Sequence, residues 1–335
     1  MNVYQAGKRC VSSPAMLKLT TMVSRFLTKN QPRIFMYHNF SALPMRSAVS
    51  ADQFVWQIEH IKKHYNVMTF GELSEQVFEH KKIPNNAVVL TIDDGYKNFY
   101  DIAYPILREH KITASLYVTT DFIDGKDWLW FDKLKVIVHT CGSKLKGKTF
   151  KGLESPLTGC ENADWATLNK LFLVLCETKK RKLIDEMGDS LNVDLSKPPE
   201  IFQPCSWQHL REMQKGGIEI GGHTSSHPVL TQLNEENSWS QISLSLQRIT
   251  DELGPSRRTF CYPNGQPGDY NARIIQQVES AGYYNAAAAF FDGYNIQKRF
   301  LWRRLNGAKN GVDFILTLNG AEYLGARLKR VFIDD

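Results

Sequence analysis

The chain has 335 residues, 42% of them hydrophobic, which is enough to bury the core of a barrel of about 250 residues with one insertion. The net charge of +6 is concentrated at the front, and the balanced remainder carries no known nucleic-acid-reading motif, which disfavours a nucleic-acid partner. No apolar run approaches the ~18 to 20 residues of a membrane span, and six scattered cysteines indicate free thiols in a reducing compartment.

The first predicted helix covers residues 15–28, where apolar side chains recur at helical spacing. Seven lysines and arginines precede Asp52, the first acidic residue. Three alternatives stay open for this basic N-terminal segment, residues 1–30: it packs on the barrel, rests on an anionic membrane surface, or targets an organelle. It lacks the continuous apolar segment and the cleavage site of a signal peptide.

Strands and helices alternate from residue 34 onward. The predicted elements are a strand at 34–37, a helix at 51–64, a strand near 66–70, a helix near 71–81, a strand at 88–92, a helix at 97–110 and a strand at 114–118. Alternation with short connections predicts a parallel α/β sheet or barrel.

The strand at 88–92 ends in two adjacent carboxylates, Asp93 and Asp94, followed by Gly95. A strand buried on both faces cannot hold two anions in its interior, so we expect both at its carboxyl end, where α/β folds place ligands. Adjacent like charges raise each other's pKa unless a cation is near, so the pair requires a metal or an arginine. The alternative is a helix cap formed by one of the two side chains.

The alternation stops between Asp121 and Cys205, and a structureless loop of that length would be unusual. We therefore predict a helical insertion over residues 122–205 that lies across the mouth of the barrel. It contains an aromatic cluster that includes Trp128 and Phe131. These rings either stack on a sugar or anchor the insertion to the core, and both alternatives stay open.

Regular alternation then returns. The predicted elements are a helix at 206–215, a strand at 218–220, a helix at 235–252, a strand from 258, a helix at 270–280, strands at 284–290 and 301–305, a final helix, and a C-terminal tail at 321–335. Seven or eight strands result in total.

His223 and His227 follow the strand at 218–220 through two glycines. Two imidazoles and one carboxylate make a three-ligand zinc site that keeps one position open for water. A histidine pair at this spacing is a weak signal alone, but it becomes a strong one beside a strand-terminal Asp-Asp-Gly.

A third motif, residues 258–265, runs from a strand into a Pro-Asn-Gly turn. Over roughly residues 33–307, the three motifs resemble those of the polysaccharide deacetylases with a nodulation-protein homology domain, carbohydrate esterase family four. The corresponding stretches are Thr91 to Gly95, with Ile92 where the family has phenylalanine, His223 to His227, and Tyr262 to Gly265. The resemblance implies a distorted, TIM-like (β/α)7–8 barrel over residues 31–320, with the insertion above the active-site face.

The resemblance also implies roles for the site residues. Asp94, His223 and His227 would bind one divalent metal ion, zinc foremost, with Co2+, Mn2+ or Ni2+ as alternatives. Asp93 would act as general base, and the backbone N–H of Asn264 would stabilise the oxyanion together with the metal.

Two departures from the family pattern lead to further predictions. Many members have an arginine that steadies the base where this chain has Cys261, a weak donor, so we predict that Arg304 takes its place. The alternative is that Arg303 and Arg304 both pair with surface carboxylates.

The second departure is that many members use a histidine near the end of the domain as general acid, whereas this chain has none beyond His227. Either Asp93 serves as both base and acid, or His38, which follows the first strand, delivers the proton.

The leading hypothesis is a metal-dependent hydrolase that removes the N-acetyl group from an N-acetylhexosamine unit of a glycan or glycoconjugate precursor. We expect it in the cytoplasm, with peripheral membrane contact through residues 15–28 as an open alternative. Two other functions remain as alternatives: hydrolysis of a small non-sugar amide on the same scaffold, and glycan binding by a homologue that has lost catalysis.

Overall fold

The computed structural model describes residues 14–44, 48–293, 298–309 and 311–331. The strands, numbered in chain order, are β1 (Arg33–Tyr37), β2 (Phe40–Ser41), β3 (Val49–Ser50), β4 (Asn66–Val67), β5 (Ala87–Ile92), β6 (Ser115–Val118), β7 (Glu219–Gly222), β8 (Phe260–Cys261), β9 (Ala286–Ala287) and β10 (Leu305–Asn306). The α-helices are α1 (Pro14–Leu27), α2 (Ala51–His64), α3 (Phe70–Phe78), α4 (Tyr104–His110), α5 (Thr120–Ile123), α6 (Trp130–Cys141), α7 (Glu161–Val174), α8 (Glu177–Leu191), α9 (Trp207–Lys215), α10 (Glu235–Leu253), α11 (Ala272–Ala281), α12 (Gly311–Leu318) and α13 (Ala321–Val331).

The central sheet is entirely parallel, in the order β10-β1-β5-β6-β7-β8-β9. β4 pairs with the start of β5, and β6 pairs with its end. A parallel bridge from Ala287 of β9 to Trp302, three residues before β10, joins the two ends of this order. The fold is therefore the predicted distorted (β/α) barrel, with helices packed around a closed ring of strands.

The register of β1 against β5 positions the site. Tyr37 pairs with Ile92, the last residue of β5, and all six residues of β5 are buried. His38 and Asp93 therefore leave adjacent strands at the same level, and the backbone N–H of Asp93 donates to the carbonyl oxygen of Tyr37.

Several predicted strands are shorter in the structure. The strand expected near 66–70 is Asn66–Val67, because Thr69 already caps α3 in a reciprocal pair of hydrogen bonds with Glu72. The strand expected at 284–290 is only Ala286–Ala287, and the one expected from 258 is Phe260–Cys261. Apolar composition marks where a strand lies, but the neighbour's length decides how far it pairs.

The helix predicted at 97–110 has two parts. A π-helical turn, Phe99–Ala103, precedes α4. Pro105 stands in the first turn of α4. A helix tolerates proline there, because the backbone N–H groups of the first turn have no partner within the helix. The π-helical turn thus lets α4 begin just before a proline that would break a continuous α-helix.

The predicted helical insertion has a core of its own. Helices α6, α7 and α8 bury Leu134, Ile137, Phe172 and other apolar side chains against one another. Trp128 is buried against Tyr96, and its indole N–H donates to the carbonyl oxygen of Leu195. For Trp128, the structure therefore favours the anchoring alternative over sugar contact.

The predicted N-terminal helix is present as α1. Residues 1–13 of the basic segment, Arg46, and residues 332–335 of the predicted tail lie outside the described residues. Among the helices that are described, none is long and apolar enough to cross a membrane.

We expect Gly307→Ala to destabilise the barrel. A Cβ at this position would lie 2.4 Å from the ring of Tyr37, which is buried and hydrogen-bonded to Gln57. Overpacking of this kind costs about 1–3 kcal/mol, so the midpoint of urea unfolding should fall. Gly325→Ala is the matched control, because its Cβ would meet no atom within 4 Å. Equal midpoints for the two variants would contradict the close approach at Gly307.

Candidate active site

The motif residues stand on a backbone with unusual dihedral angles. Eight described non-glycine residues have positive φ, and four of them belong to the motifs: Asp94, Thr224, His227 and Asn264. Positive φ in a β-branched residue such as Thr224 (φ 66°) is rare and costs free energy. The Thr224 side chain supports the turn by accepting from the backbone N–H of His227.

Two glycines bring the histidine turn close to its neighbours. A Cβ on Gly221 would lie 2.5 Å from the carbonyl oxygen of Thr259, and a Cβ on Gly222 would lie 2.0 Å from the hydroxyl of Tyr283. A side chain at either position would clash, so the Gly-Gly pair allows the end of β7 to pack closely against Thr259 and Tyr283. His223 follows directly after this closely packed end.

Asp94, His223 and His227 converge on one point. The Nε2 atoms of both histidines lie 3.5 Å from Oδ1 of Asp94, and all three side chains are buried. Two ligand atoms each about 2.1 Å from a tetrahedral metal are about 3.4 Å apart. The spacing therefore fits a divalent metal, as predicted from the motifs.

The imidazole of His223 presents a lone pair to that point. The Nδ1–H of His223 donates to the carbonyl oxygen of Cys261 at 2.7 Å, which leaves Nε2 unprotonated. Burial lowers the pKa of His223 to about 4 and lowers the pKa of His227 well below its ordinary value. Neutral imidazole is the form that binds a metal.

Among the described residues, Asp94 forms no ion pair with a lysine or an arginine. Its Oδ1 is buried without a hydrogen-bond partner among the described residues. Burial, followed by the charges of Asp93 and Asp132, raises the pKa of Asp94 well above its ordinary value. A cation at this point would remove that penalty, so the residues present fit a divalent metal.

Asp93 is paired with Arg304 in the barrel interior. Arg304 Nη1 and Nη2 lie 2.7 and 2.8 Å from the two carboxylate oxygens of Asp93, and both side chains are buried. Burial alone would raise the pKa of Asp93, but the charge and hydrogen bonds of Arg304 outweigh it and hold the pKa below its ordinary range.

The structure thus brings Arg304 to the position that the sequence suggested. Arg304 also donates to Thr91 Oγ1, to the carbonyl oxygen of Ala288 and to the sulfur of Cys261. Arg303, by contrast, pairs with Asp292 near the surface. The surface-pair alternative therefore holds for Arg303 and is wrong for Arg304.

A rival ligand set also exists on geometric grounds. Ligand atoms of Asp93, His223 and Cys261 lie within 4.8 Å of one another. Both oxygens of Asp93 are already occupied by Arg304, however, and burial raises the pKa of the Cys261 thiol well above its ordinary value. Because a thiolate is the metal-binding form, we assign the metal to the set that contains Asp94.

His38 and Asn264 both line the cleft above the ligand set. His38 Nε2 lies 3.8 Å from Oδ2 of Asp93, beyond hydrogen-bonding distance, and 46% of its side chain is exposed. The side-chain Nδ2 of Asn264 is buried without a hydrogen-bond partner among the described residues. Both residues thus lie at the cleft, and their roles in proton delivery and oxyanion stabilisation stay predictions.

Sequence reasoning missed a polar network that joins the insertion to the site. Asp132 of α6 is fully buried; its Oδ2 accepts from the hydroxyl of Tyr96, and its Oδ1 lies 2.8 Å from Nζ of Lys135. Tyr96 immediately follows the Asp-Asp-Gly motif, but 36 residues separate it from Asp132. No local pattern could have shown that pairing.

The cleft has a volume of about 280 Å³ and is shared by the barrel and the insertion. The insertion contributes Trp130, Phe131, Lys135, Trp165 and Asn169 to its wall. The ring of Phe131 meets that of His227 edge-on at 5.1 Å between centroids. For Phe131, unlike Trp128, the position leaves sugar contact open.

Comparisons with known proteins identify the family of this chain. Residues 80–286, more than half of the chain, match the family model for polysaccharide deacetylases. A putative polysaccharide deacetylase of Bacillus subtilis, YxkH, is 27% identical over 144 residues, which are 42% of this chain and 50% of that protein. A poly-β-1,6-N-acetyl-D-glucosamine N-deacetylase of Staphylococcus aureus is 31% identical over 97 residues, which are 28% of this chain and 33% of that protein. The chain thus spans half or less of these curated relatives.

A solved structure shows the same fold. The deacetylase PplD of Streptococcus pyogenes, in complex with acetate, superimposes with a TM-score of 0.55 at 17% identity, over 85% of this chain and 96% of that one. At this identity the likeness concerns the fold alone, and the family assignment rests on the match over residues 80–286. By that match, the chain belongs to the polysaccharide deacetylase family.

Proposed function

We propose that this protein is a metal-dependent deacetylase that hydrolyses the N-acetyl group of an N-acetylhexosamine unit in a glycan or glycoconjugate precursor. One observation carries the proposal: a buried carboxylate held ionised by arginine, Asp93 with Arg304, stands beside a three-ligand metal set in one open cleft. Metal-dependent hydrolysis of an amide needs an ionised base beside a set of metal ligands. An intact base also disfavours the alternative of a glycan-binding homologue without catalysis.

We propose zinc as the metal, with Co2+, Mn2+ or Ni2+ as alternatives. Two neutral imidazoles and one carboxylate at near-tetrahedral spacing support zinc. Such an ion lowers the pKa of water and favours negative charge on the carbonyl oxygen.

Asp93 accepts the proton of the attacking water in this proposal. Its pKa, held below the ordinary range, keeps it ionised at neutral pH but makes it a weak base. The same low pKa makes the protonated Asp93 a strong acid, which returns its proton readily. In this proposal Asp93 takes the proton from water, despite its weak basicity, and then returns it as an acid.

The departing amine needs that proton, because an amide anion is too basic to leave at neutral pH. His38 is the second candidate donor, since its exposed imidazole faces the cleft 3.8 Å from Asp93. The backbone N–H of Asn264 is proposed to donate to the oxyanion.

The wall of the cleft supports a sugar substrate. Phe131 and Trp165 offer aromatic faces, and Lys135, Asn169 and Gln266 offer polar groups. Because one relative is named for poly-β-1,6-N-acetyl-D-glucosamine, that polymer is the first substrate to test. Hydrolysis of a small non-sugar amide remains the alternative.

We further propose that the protein works in the cytoplasm. In the described part of the chain, Cys141, Cys160, Cys176, Cys205 and Cys261 are free thiols, which supports a reducing compartment. Peripheral membrane contact through residues 15–28 belongs to the same proposal. Cell fractionation beside cytoplasmic and exported marker proteins tests the location.

We expect Asp93→Asn and Asp94→Asn to fail in different ways. Asp93→Asn removes the proton acceptor and keeps the shape, so acetate release from N-acetylated glycans should fall by more than about 10²-fold while metal content stays at one ion per chain. Asp94→Asn should lower the metal content itself, because it removes a ligand.

Metal analysis of the purified protein and acetate release from a panel of glycans and small amides provide the readouts. Equal metal loss in both variants would refute the division of roles. Release of acetate from small amides alone would favour the non-sugar alternative, and no release from any substrate by metal-loaded protein would refute the proposed activity.

Arg304→Gln should move the acid limb of the pH–rate profile upward. Asp93, still buried, would lose the charge that depresses its pKa, so its pKa should rise and activity should disappear at higher pH than in the wild type. Breaking a buried pair should also cost about 3–5 kcal/mol of stability. Arg304→Lys, which keeps a charge, should show a smaller shift.

Arg303→Gln is the matched control, because Arg303 pairs with the more exposed Asp292. It should cost less than about 1 kcal/mol and leave the profile unchanged. An unchanged profile in both variants of Arg304 would show that Arg304 does not govern Asp93.

His38→Ala should lower kcat by about 10²-fold and change KM little, if His38 delivers the proton to the amine. His80→Ala provides a control with a similarly exposed imidazole away from the cleft. Normal kcat in His38→Ala would leave Asp93 as the only proton carrier.

A further inference from the structure

Helix α1 packs with its polar side towards the protein. Ser24 and Thr28, at its end, are buried, and Thr21 is half-buried. Five large apolar side chains point the other way, between 46% and 68% exposed, and together they form the outer face of α1: Leu19, Met22, Val23, Phe26 and Leu27. Surface helices of globular proteins ordinarily bury the apolar side.

This outer face holds half of the large hydrophobic side chains that are exposed in the described residues. Ten large hydrophobic side chains are exposed in the described residues, and five of them lie on this one helix. Their spacing of three and four residues makes them a continuous stripe. Contiguous exposed apolar surface of this kind marks an interaction site rather than a chance exposure.

The residues that directly follow the helix are hydrogen-bonded to the barrel. The carbonyl oxygen of Thr28 accepts from Arg33 Nη1 at 2.7 Å, and the carbonyl oxygen of Lys29 accepts from the backbone N–H of Asn86, just before β5. Arg33 is itself buried and also donates to the carbonyl oxygen of Leu318. The C-terminal end of the outer face is therefore held against the body of the protein.

The charged residues of α1 and of the segment that joins it to β1 are all basic. Lys18 is exposed on α1, and Lys29 lies directly after it with Nζ 5.0 Å from the ring of Phe26. No acidic residue precedes Asp52 in the sequence, whereas seven basic ones do. An apolar stripe whose own helix and following residues carry only basic charges matches an anionic lipid surface, with acyl chains under the stripe and headgroups beside the cations.

A second copy of the chain fits this surface less well. In a two-fold symmetric dimer, the same patch meets itself, so the basic residues of one copy would approach basic residues of the other. Like charges opposed across an interface are unfavourable. The helix is also only 14 residues long, about 21 Å, which suits a position in the plane of a bilayer surface.

We propose that α1 is a membrane-surface anchor whose outer face enters the headgroup–acyl boundary of an anionic bilayer. Lys18 and Lys29 contact the lipid headgroups. Binding is reversible, depends on anionic lipid and weakens with salt. The inference goes beyond the deacetylase activity and does not depend on it, because no residue of α1 lines the active-site cleft.

Co-sedimentation of the full chain with vesicles tests the proposal. Vesicles of phosphatidylglycerol and phosphatidylcholine should bind the protein at least about tenfold more tightly than phosphatidylcholine alone, since each basic residue near the surface adds to binding. Leu19→Gln with Phe26→Gln should abolish binding, as should Lys18→Glu with Lys29→Glu. Glutamine keeps the helix propensity of leucine, so α1 should remain folded.

Val174→Gln with Leu244→Gln is the matched control, because those side chains are 73% and 59% exposed on α7 and α10. It should bind like the wild type, and acetate release in solution should be unaffected by all three double variants. Equal binding to both vesicle types, no binding by the wild type, or equal loss in the control would overturn the proposal. So would a dimer in solution that Leu19→Gln with Phe26→Gln converts to a monomer, which would assign the outer face to a second copy.

Discussion

The buried pair of Asp93 and Arg304 is the interaction on which the site depends. Two adjacent carboxylates at the end of a buried strand cannot both remain charged without help. Arg304 neutralises Asp93 through two hydrogen bonds, and the ligand set leaves Asp94 facing two neutral imidazoles. One aspartate is therefore supplied with a cation by the protein, and the other is left to be compensated by a metal. This asymmetry separates the base from the ligand although the two residues are neighbours in the chain.

Closure of the barrel makes this pair available. Arg304 lies between Trp302, which bridges to β9, and Leu305, which begins β10 beside β1. It therefore stands at the junction of the two ends of the sheet, and its side chain reaches past β1 to Thr91 of β5. The sulfur of Cys261 accepts a hydrogen bond from Arg304, so the cysteine fills the space beside a guanidinium that enters from another strand. The cation that Asp93 needs therefore comes from Arg304 on another strand of the ring, and not from the third motif.

The sequence predicted those features that follow from local pattern and strand-end geometry. Asp93, Asp94, His223 and His227 were found because polar residues that terminate apolar strands must gather at one end of a parallel barrel. Strand lengths were overestimated at 66–70 and 284–290, because pairing depends on neighbours that local composition does not reveal. The bond of Tyr96 to Asp132 was missed for the same reason, since it joins distant segments. For α1, the pattern indicated an apolar stripe but not the direction in which it faces.

Asp132 has a consequence for how the insertion behaves. Its carboxylate is fully buried between Tyr96 and Lys135, and its charge acts on the pKa of Asp94. On the same helix, Phe131 rests against the ring of His227. An ion that compensates Asp94 would thus also relieve the repulsion between two buried carboxylates, one from the barrel and one from α6. Amide hydrogen exchange in α6 would therefore slow when the metal is bound. Exchange in this helix would report whether the metal site is occupied, although α6 contributes none of the metal ligands.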